Sequence, residues 1–235
     1  MAKKSMIDLY DRLYSEEKPF REIWEGRIGV VYRVPKEVSF FLKYFSKEKR
    51  PSVLEVGAGD GTAYSIAEKH MTFSRYVLTE ISKSAVDKLR SRGWSAEQMD
   101  STDLKYPDDS FDIVCSYNTM HHVDDPGKMA QEMLRVARKY AFVSEANGLS
   151  IPRRLLELSE RNRKANEKSY APWKYRDFFA GADKISIHPF CFAFAFTPDC
   201  LIRASICLSE FLEKIPALRW QGSSLAILAR KRGAK

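Results

Sequence analysis

The sequence predicts an α/β protein: a doubly wound, mostly parallel seven-stranded sheet with an antiparallel C-terminal strand and a helical cap. Three observations predict it. Between residues 53 and 144, short apolar runs alternate with segments whose apolar residues recur at helical spacing, the pattern of parallel strands joined by crossover helices. The first strand runs into a turn with three glycines and then a helix, the junction where open α/β sheets meet their ligands. The last apolar runs, Ile185 to Phe196, broken at Pro189, and Ser223 to Ala229, lack the regular crossover beat, so an antiparallel finish is expected. At 235 residues, with 44% hydrophobic and 30% charged residues, the chain has material for one such domain and an appendage.

The elements follow in order. Residues 1–50 read as a helical lid or substrate region, with Met6, Leu9, Tyr10, Leu13 and Tyr14 on one helix face and Phe40, Phe41, Tyr44 and Phe45 on another. The main domain, 51–235, opens after Pro51 with the buried strand Val53-Leu-Glu-Val. A helix after Gly61 turns Ala63, Ile66 and Ala67 inward, and Tyr76 to Thr79 form the second strand. The helix from Ser82 buries Ala85, Val86 and Leu89 and ends near Gly93. A weak third strand covers Trp94 to Met99, and Phe111 to Tyr117 is apolar enough for the sheet centre. Asp125 and Pro126 suit the N-cap and first residue of a helix burying Met129, Ala130, Met133, Leu134 and Ala137. Tyr140 to Ser144 is the fifth strand. Residues 151–181 read as a basic helical insertion or cap, and Pro198 to Lys214 as a last helix.

Composition narrows the class further. No apolar run approaches the length that crosses a bilayer, and the first residues lack the apolar stretch of a secretory signal. Four cysteines (Cys115, Cys191, Cys200, Cys207) and four histidines show no metal-ligand spacing. Reduced thiols and a cytoplasmic location are therefore expected, with no metal. Cys200 and Cys207 are expected to share a helix face in the core. The net charge is +8, and between Ile151 and Arg176 eight basic residues face three acidic ones. Such a segment attracts a nucleic acid, a phosphorylated substrate or a lipid surface, or is simply a solvated face.

The chemistry concentrates in Glu55-Val-Gly57-Ala58-Gly59-Asp60-Gly61-Thr62. A dinucleotide site wants G-x-G-x-x-G with pyrophosphate on the helix N-terminus. Here the third glycine arrives one place early, and Glu55 and Asp60 would repel a pyrophosphate. The same acids favour a ligand carrying an ammonium and a sulfonium, such as S-adenosylmethionine. Glu80 follows Gly57 by 23 residues at the end of the second strand, where an acid accepts both hydroxyls of a ribose. Asp100 follows 20 residues later, placed for an adenine amino group.

With these residues in place, the sequence resembles the class I S-adenosylmethionine-dependent methyltransferases, and within them the small-molecule, quinone- and sterol-type (type 11) group. The resemblance covers Val53 to Gly148 and rests on Leu54-Glu-Val-Gly-Ala-Gly-Asp-Gly, Leu78-Thr-Glu-Ile-Ser, Tyr106-Pro-Asp-Asp-Ser-Phe-Asp-Ile-Val and Met120-His-His-Val. It implies a Rossmann-like methyltransferase fold. It also implies that Glu55, Gly57 and Gly59 surround the methionine part of the cofactor, with Ala58, Asp60 and Gly61 among the cofactor-binding residues and Glu80 on the ribose. Asp100, Ser101 and Ile81 then lie at the adenine, and Tyr117 near the methyl group. The family's Pro-Gly-Gly before the fifth strand is replaced by Arg138-Lys139-Tyr140.

Methyl transfer needs a general base only when the acceptor loses a proton. His122 and His121, just past the fourth strand, are the candidates for base or acceptor anchor. The other reading makes them a turn, one satisfied by backbone groups and one packed on the next helix. Tyr10, Tyr14, Arg27 and Tyr32 are candidates to close over the cofactor carboxylate, or are packing residues. Phe190, Phe192, Phe194 and Phe196 alternate on one strand face, as core or as an apolar acceptor pocket. A small-molecule acceptor, apolar or anionic, is the first reading. RNA or protein is the alternative, with Tyr170, Trp173 and Tyr175 among the cations as stacking platforms. Nicotinamide chemistry and a non-catalytic cofactor-binding module are the remaining readings, and peripheral membrane contact is compatible with the basic segment.

Overall fold

The computed structural model describes residue 11 and residues 26–158, 168–193 and 197–234. The N-terminal helix face (Met6 to Tyr14), Phe194, Phe196 and the middle of the basic segment lie outside the described residues. A π-helical stretch, Gly29–Arg33, leads into α1 (Val34–Phe45), followed by β1 (Ser52–Val56) and α2 (Thr62–Ala67). Then come β2 (Arg75–Glu80), α3 (Lys83–Ser91), β3 (Ala96–Gln98), β4 (Phe111–Tyr117), α4 (Pro126–Val136) and β5 (Ala137–Ala146). The chain finishes with α5 (Ile151–Glu157), α6 (Pro172–Phe178), β6 (Ala182–Phe190), α7 (Ile202–Glu213) and β7 (Ser224–Lys231). The seven strands stand in the order β3-β2-β1-β4-β5-β7-β6. β1 to β5 are parallel, and β7 alone runs antiparallel, inserted between β5 and β6.

The helix starts follow the capping residues. Ser82 Oγ accepts from the Ala85 N–H at 3.2 Å, and the Asp125 side chain accepts from Lys128 N–H at 2.8 Å with Pro126 in the first turn. Two cores flank the sheet. One joins α1 and α2 to Val53, Tyr76, Ile113, Cys115 and Phe142; the other joins α4 and α6 to Leu54, Val114 and Val143. Phe142 is fully buried, with the rings of Phe41, Tyr44, Tyr117 and Phe45 at 5.7, 6.0, 5.8 and 6.4 Å.

Four expectations need correction. The fifth strand starts at Ala137, directly after α4, because Arg138 and Lys139 are not a loop: their side chains bind Asp112 and Glu48 on neighbouring segments at 2.8 and 3.0 Å. β3 shrinks to Ala96–Gln98, with Trp94 turned against Gly61 instead. β6 runs through Pro189 unbroken, since an edge strand can spare one N–H. It ends at Phe190, where Cys191 takes a left-handed φ of 66°, so Phe190 and Phe192 do not continue along one strand face. Finally, Cys200 and Cys207 are exposed. The helix begins only at Ile202 and buries Ile202 and Ser209, Ser209 accepting from the Tyr32 hydroxyl at 3.1 Å.

Replacing Phe142 with Ala removes the ring that α1 packs on. Chemical denaturation is expected to show a loss of about 3–5 kcal/mol.

Candidate cofactor and active site

The C-terminal ends of β1, β2 and β4 bring the candidate residues to one edge. At the end of β1 the chain turns through Gly57, Gly59 and Gly61 with φ of 70°, 58° and 73°, a left-handed sequence that glycine adopts without strain. The N–H groups of Gly57 and Ala58 both donate to the Thr79 carbonyl at 2.9 Å, which ties the loop to β2. The sequence reading has these glycines make room for a ligand. At Gly57, however, a Cβ would lie 2.3 Å from Thr119 Cγ2, and at Gly61 it would lie 2.5 Å from the Trp94 ring. The room at these two positions is filled by the protein's own side chains.

Glu80 organises the rim. Its Oε2 accepts from Gly59 N–H at 3.0 Å, and its Oε1 from Ile81 N–H at 2.8 Å and Ser82 N–H at 3.4 Å. Burial pushes its carboxyl up, opposed by these three N–H donors. A carboxylate offers about four acceptor directions, so an acceptor site remains for a hydroxyl. Ile81 is partly exposed next to it. Asp11 reaches the same corner, accepting from Ser82 Oγ at 2.5 Å and from Ser84 Oγ at 2.6 Å; these two hydroxyls hold its carboxyl below the usual range.

The other acids are less exposed to a ligand than their spacing implies. Glu55 is buried, and its Oε2 accepts from the Tyr76 hydroxyl at 2.7 Å. Asp60 Oδ1 accepts from Thr62 N–H at 3.1 Å and Thr62 Oγ1 at 2.6 Å, closing the turn that starts α2. Asp100 Oδ1 does the same for Thr102 at 2.9 Å, with Ser101 in that turn. Tyr117 ends β4, buried, its phenol pushed well up by burial and by the nearby Cys115 and Glu55.

The turn after β4 rests on residues that the motif reading missed. Glu145, buried at the end of β5, accepts through Oε1 from the N–H groups of Thr119 and Met120 at 2.9 and 2.7 Å. Its Oε2 lies 2.7 Å from His121 Nδ1; the carboxylate only accepts, so Nδ1–H donates. Nδ1 of His121 is thus satisfied by a side chain, and the ring of His122, half-buried, lies tilted against it with centroids 4.0 Å apart. Thr119 Oγ1 donates to the Gly57 carbonyl at 3.1 Å. On the α1 side, Asn118, at φ 54°, donates from Nδ2 to buried Glu37 at 2.8 Å, and Arg33 Nε lies 3.5 Å from the same carboxylate. The only sequence signal for this group was Asn118 itself, a residue type that tolerates the left-handed region.

Arg27 and Tyr32 do not close over the rim: Arg27 pairs with Asp199 at 2.8 Å, and Tyr32 packs on α7. Of the three aromatics considered for stacking, Tyr175 is fully buried and Tyr170 packs edge-on against Tyr175 and Phe178, leaving Trp173 exposed.

Residues 54–143 match the family model of a methyltransferase domain. Over 129 residues the chain is 32% identical to ajmaline N-methyltransferase of Rauvolfia serpentina, covering 52% of this chain and 43% of that protein. Over 92 residues it is 30% identical to phosphatidylethanolamine N-methyltransferase of Cereibacter sphaeroides, covering 37% and 45%. The chain thus spans less than half the length of these curated relatives. A solved S-adenosylmethionine-dependent methyltransferase of Thermotoga maritima, described as a possible histamine N-methyltransferase, aligns over 97% of this chain and 100% of its own. The TM-score is 0.69 at 17% identity, a likeness of fold; the doubly wound sheet is a Rossmann-like methyltransferase fold.

Glu145→Ala strands two N–H groups and one imidazole N–H without an acceptor. Denaturation is expected to show a loss of about 3 kcal/mol. Glu145→Gln keeps a carbonyl for both N–H groups and is expected to lose clearly less.

Proposed function

We propose that this chain is a class I S-adenosylmethionine-dependent methyltransferase that methylates a small molecule, a reading supported by the methyltransferase-domain match over residues 54–143. The acceptor atom is oxygen, nitrogen or carbon of a lipid, quinone, sugar or related metabolite. The observation that carries the cofactor reading is the Glu80 carboxylate bound to the Gly59 N–H beside a loop without a single basic residue. That donor and acceptor set fits a ribose and a cationic sulfonium better than a pyrophosphate. The small-molecule reading draws support from the relatives, whose names specify an alkaloid and a phospholipid. Tyr175 is buried and Tyr170, partly buried, packs edge-on against Tyr175 and Phe178, which leaves Trp173 as the one fully open platform for an RNA acceptor among the three.

Bound S-adenosylmethionine supplies an electrophilic methyl group on sulfur. The chain's part is to bind and orient. Glu80 takes the ribose hydroxyls, while Ile81, Asp100 and Ser101 flank the adenine. Gly57, Ala58, Gly59, Asp60 and Gly61 shape the loop around the methionine portion, with Glu55 supporting it from within. Tyr117 closes the wall near the reacting centre, where collinear alignment of nucleophile, carbon and sulfur supplies much of the rate. His122 is the base or anchor for an acceptor that must lose a proton, and His121 is the positioning residue held by Glu145. Residues 1–50 serve as a lid or substrate region that α1 anchors to the sheet, 151–181 as cap, and the protein works in the cytoplasm.

The test is incubation with methyl-labelled S-adenosylmethionine and a cell extract, followed by separation into solvent-extractable, small aqueous and acid-precipitable fractions. Label is expected in one of the first two. Label confined to precipitated RNA or protein would contradict the small-molecule reading.

A further inference from the structure

The large apolar side chains exposed among the described residues are not scattered. All ten lie at Val31, between Leu149 and Trp173, or between Leu201 and Leu218. Topology puts these segments at one end of the molecule. Leu149 and α5 follow the C-terminal end of β5. Phe190, the end of β6, pairs with Ser224, which pairs with Ala146 at the end of β5, so α7 rises from the same edge. The stretch Gly29–Arg33 touches Asn118 just past β4. The helices and loops of the opposite edge expose no large apolar side chain among the described residues.

Within this end, Ile151, Leu155 and Leu158 follow at intervals of four and three, a single face of α5 and its last turn, exposed by 64%, 63% and 69%. Trp173, exposed by 57%, opens α6 beside them, since Ser169 N–H binds Glu157 at 2.9 Å and Gly148 N–H binds the Tyr170 carbonyl. Among the described residues the charges around this face are sorted by sign. Arg154, Lys168, Lys174 and Arg176 are exposed, whereas Glu157 is turned inward toward Arg153, Arg154 and Ser169. Among the described residues of this group Asp177 is the one exposed acid, 3.4 Å from Lys174.

We propose that this end docks on an anionic lipid bilayer, with the apolar face of α5 and Trp173 in the interface and the flanking cations on the headgroups. An apolar stripe rimmed by Lys and Arg is the pattern of interfacial insertion. A second copy is the poorer occupant, because a two-fold contact sets the same cations against each other. No helix among the described residues is long and apolar enough to cross a membrane, so contact at this face is peripheral. The docking face borders the edge that carries Glu80, Tyr117 and His122, and it stands whether or not the acceptor is a lipid.

The test is cosedimentation of the full chain with vesicles of phosphatidylcholine alone and of phosphatidylcholine mixed with phosphatidylserine, with tryptophan emission recorded in parallel. Wild type is expected to pellet with the anionic vesicles only and to be released by salt. Its emission shifts to shorter wavelength, and the shift disappears in Trp173→Phe. Ile151→Glu with Leu155→Glu is expected to bind about tenfold or more weakly with an unchanged melting curve, because both side chains are exposed. Arg154→Glu with Lys174→Glu is expected to abolish the preference for phosphatidylserine. Absence of pelleting, equal pelleting on both vesicles, or self-association by light scattering that the Glu variants abolish would overturn the proposal. An acidic protein partner protecting this face without vesicle binding would also overturn it. None of these outcomes depends on whether methyl transfer is detected.

Discussion

One carboxylate at the end of β5 sets the geometry of three neighbouring strand ends. Glu145 holds the N–H groups of Thr119 and Met120 and the ring of His121. Thr119, so fixed, donates to the Gly57 carbonyl and fills the space where Gly57 would carry a Cβ. Gly57 and Ala58 in turn donate to Thr79, and Glu80 beside it accepts from Gly59. The result is a continuous chain of hydrogen bonds across β5, β4, β1 and β2. A buried carboxylate is costly unless its acceptor sites are filled, and here the donors that fill it are the loops that must be positioned.

The same arrangement explains why buried carboxylates recur along this edge. Parallel strands deliver loops whose N–H groups point toward the strand ends, and a carboxylate satisfies two or three of them at once. Glu80 does this and is left with a direction for one more donor. Glu37, Glu55 and Glu145 are buried deeper and support the rim from behind. A cationic sulfonium ligand is compatible with that field; a pyrophosphate is not.

Most of the sheet was legible because alternating apolar runs and helical periodicity report burial directly. The parallel sheet with its antiparallel C-terminal strand, the helix start at Ser82 and the cap at Asp125 follow from that pattern and from local hydrogen-bonding chemistry. The errors came where tertiary contacts decide. Arg138 and Lys139 look like a loop until Asp112 and Glu48 are beside them. Pro189 looks like a break until β6 proves to be an edge. At the candidate site, the glycine turn after β1 and the acid ending β2 were readable as local structure from their spacing. Glu145, Glu37 and Thr119 were not, because each acts on a residue at least 26 positions away, and no short motif records that distance.

The central claim is that Glu80 and the glycine loop form an S-adenosylmethionine site, and calorimetric titration tests it most directly. S-adenosylhomocysteine and NAD would be titrated in parallel into wild type and Glu80→Ala, with both proteins shown to be folded. S-adenosylhomocysteine alone is expected to bind wild type, with affinity at least about tenfold weaker in the variant, as loss of a hydrogen bond to a charged group predicts. Binding of NAD in its place, or full affinity in a folded Glu80→Ala protein, would contradict the account.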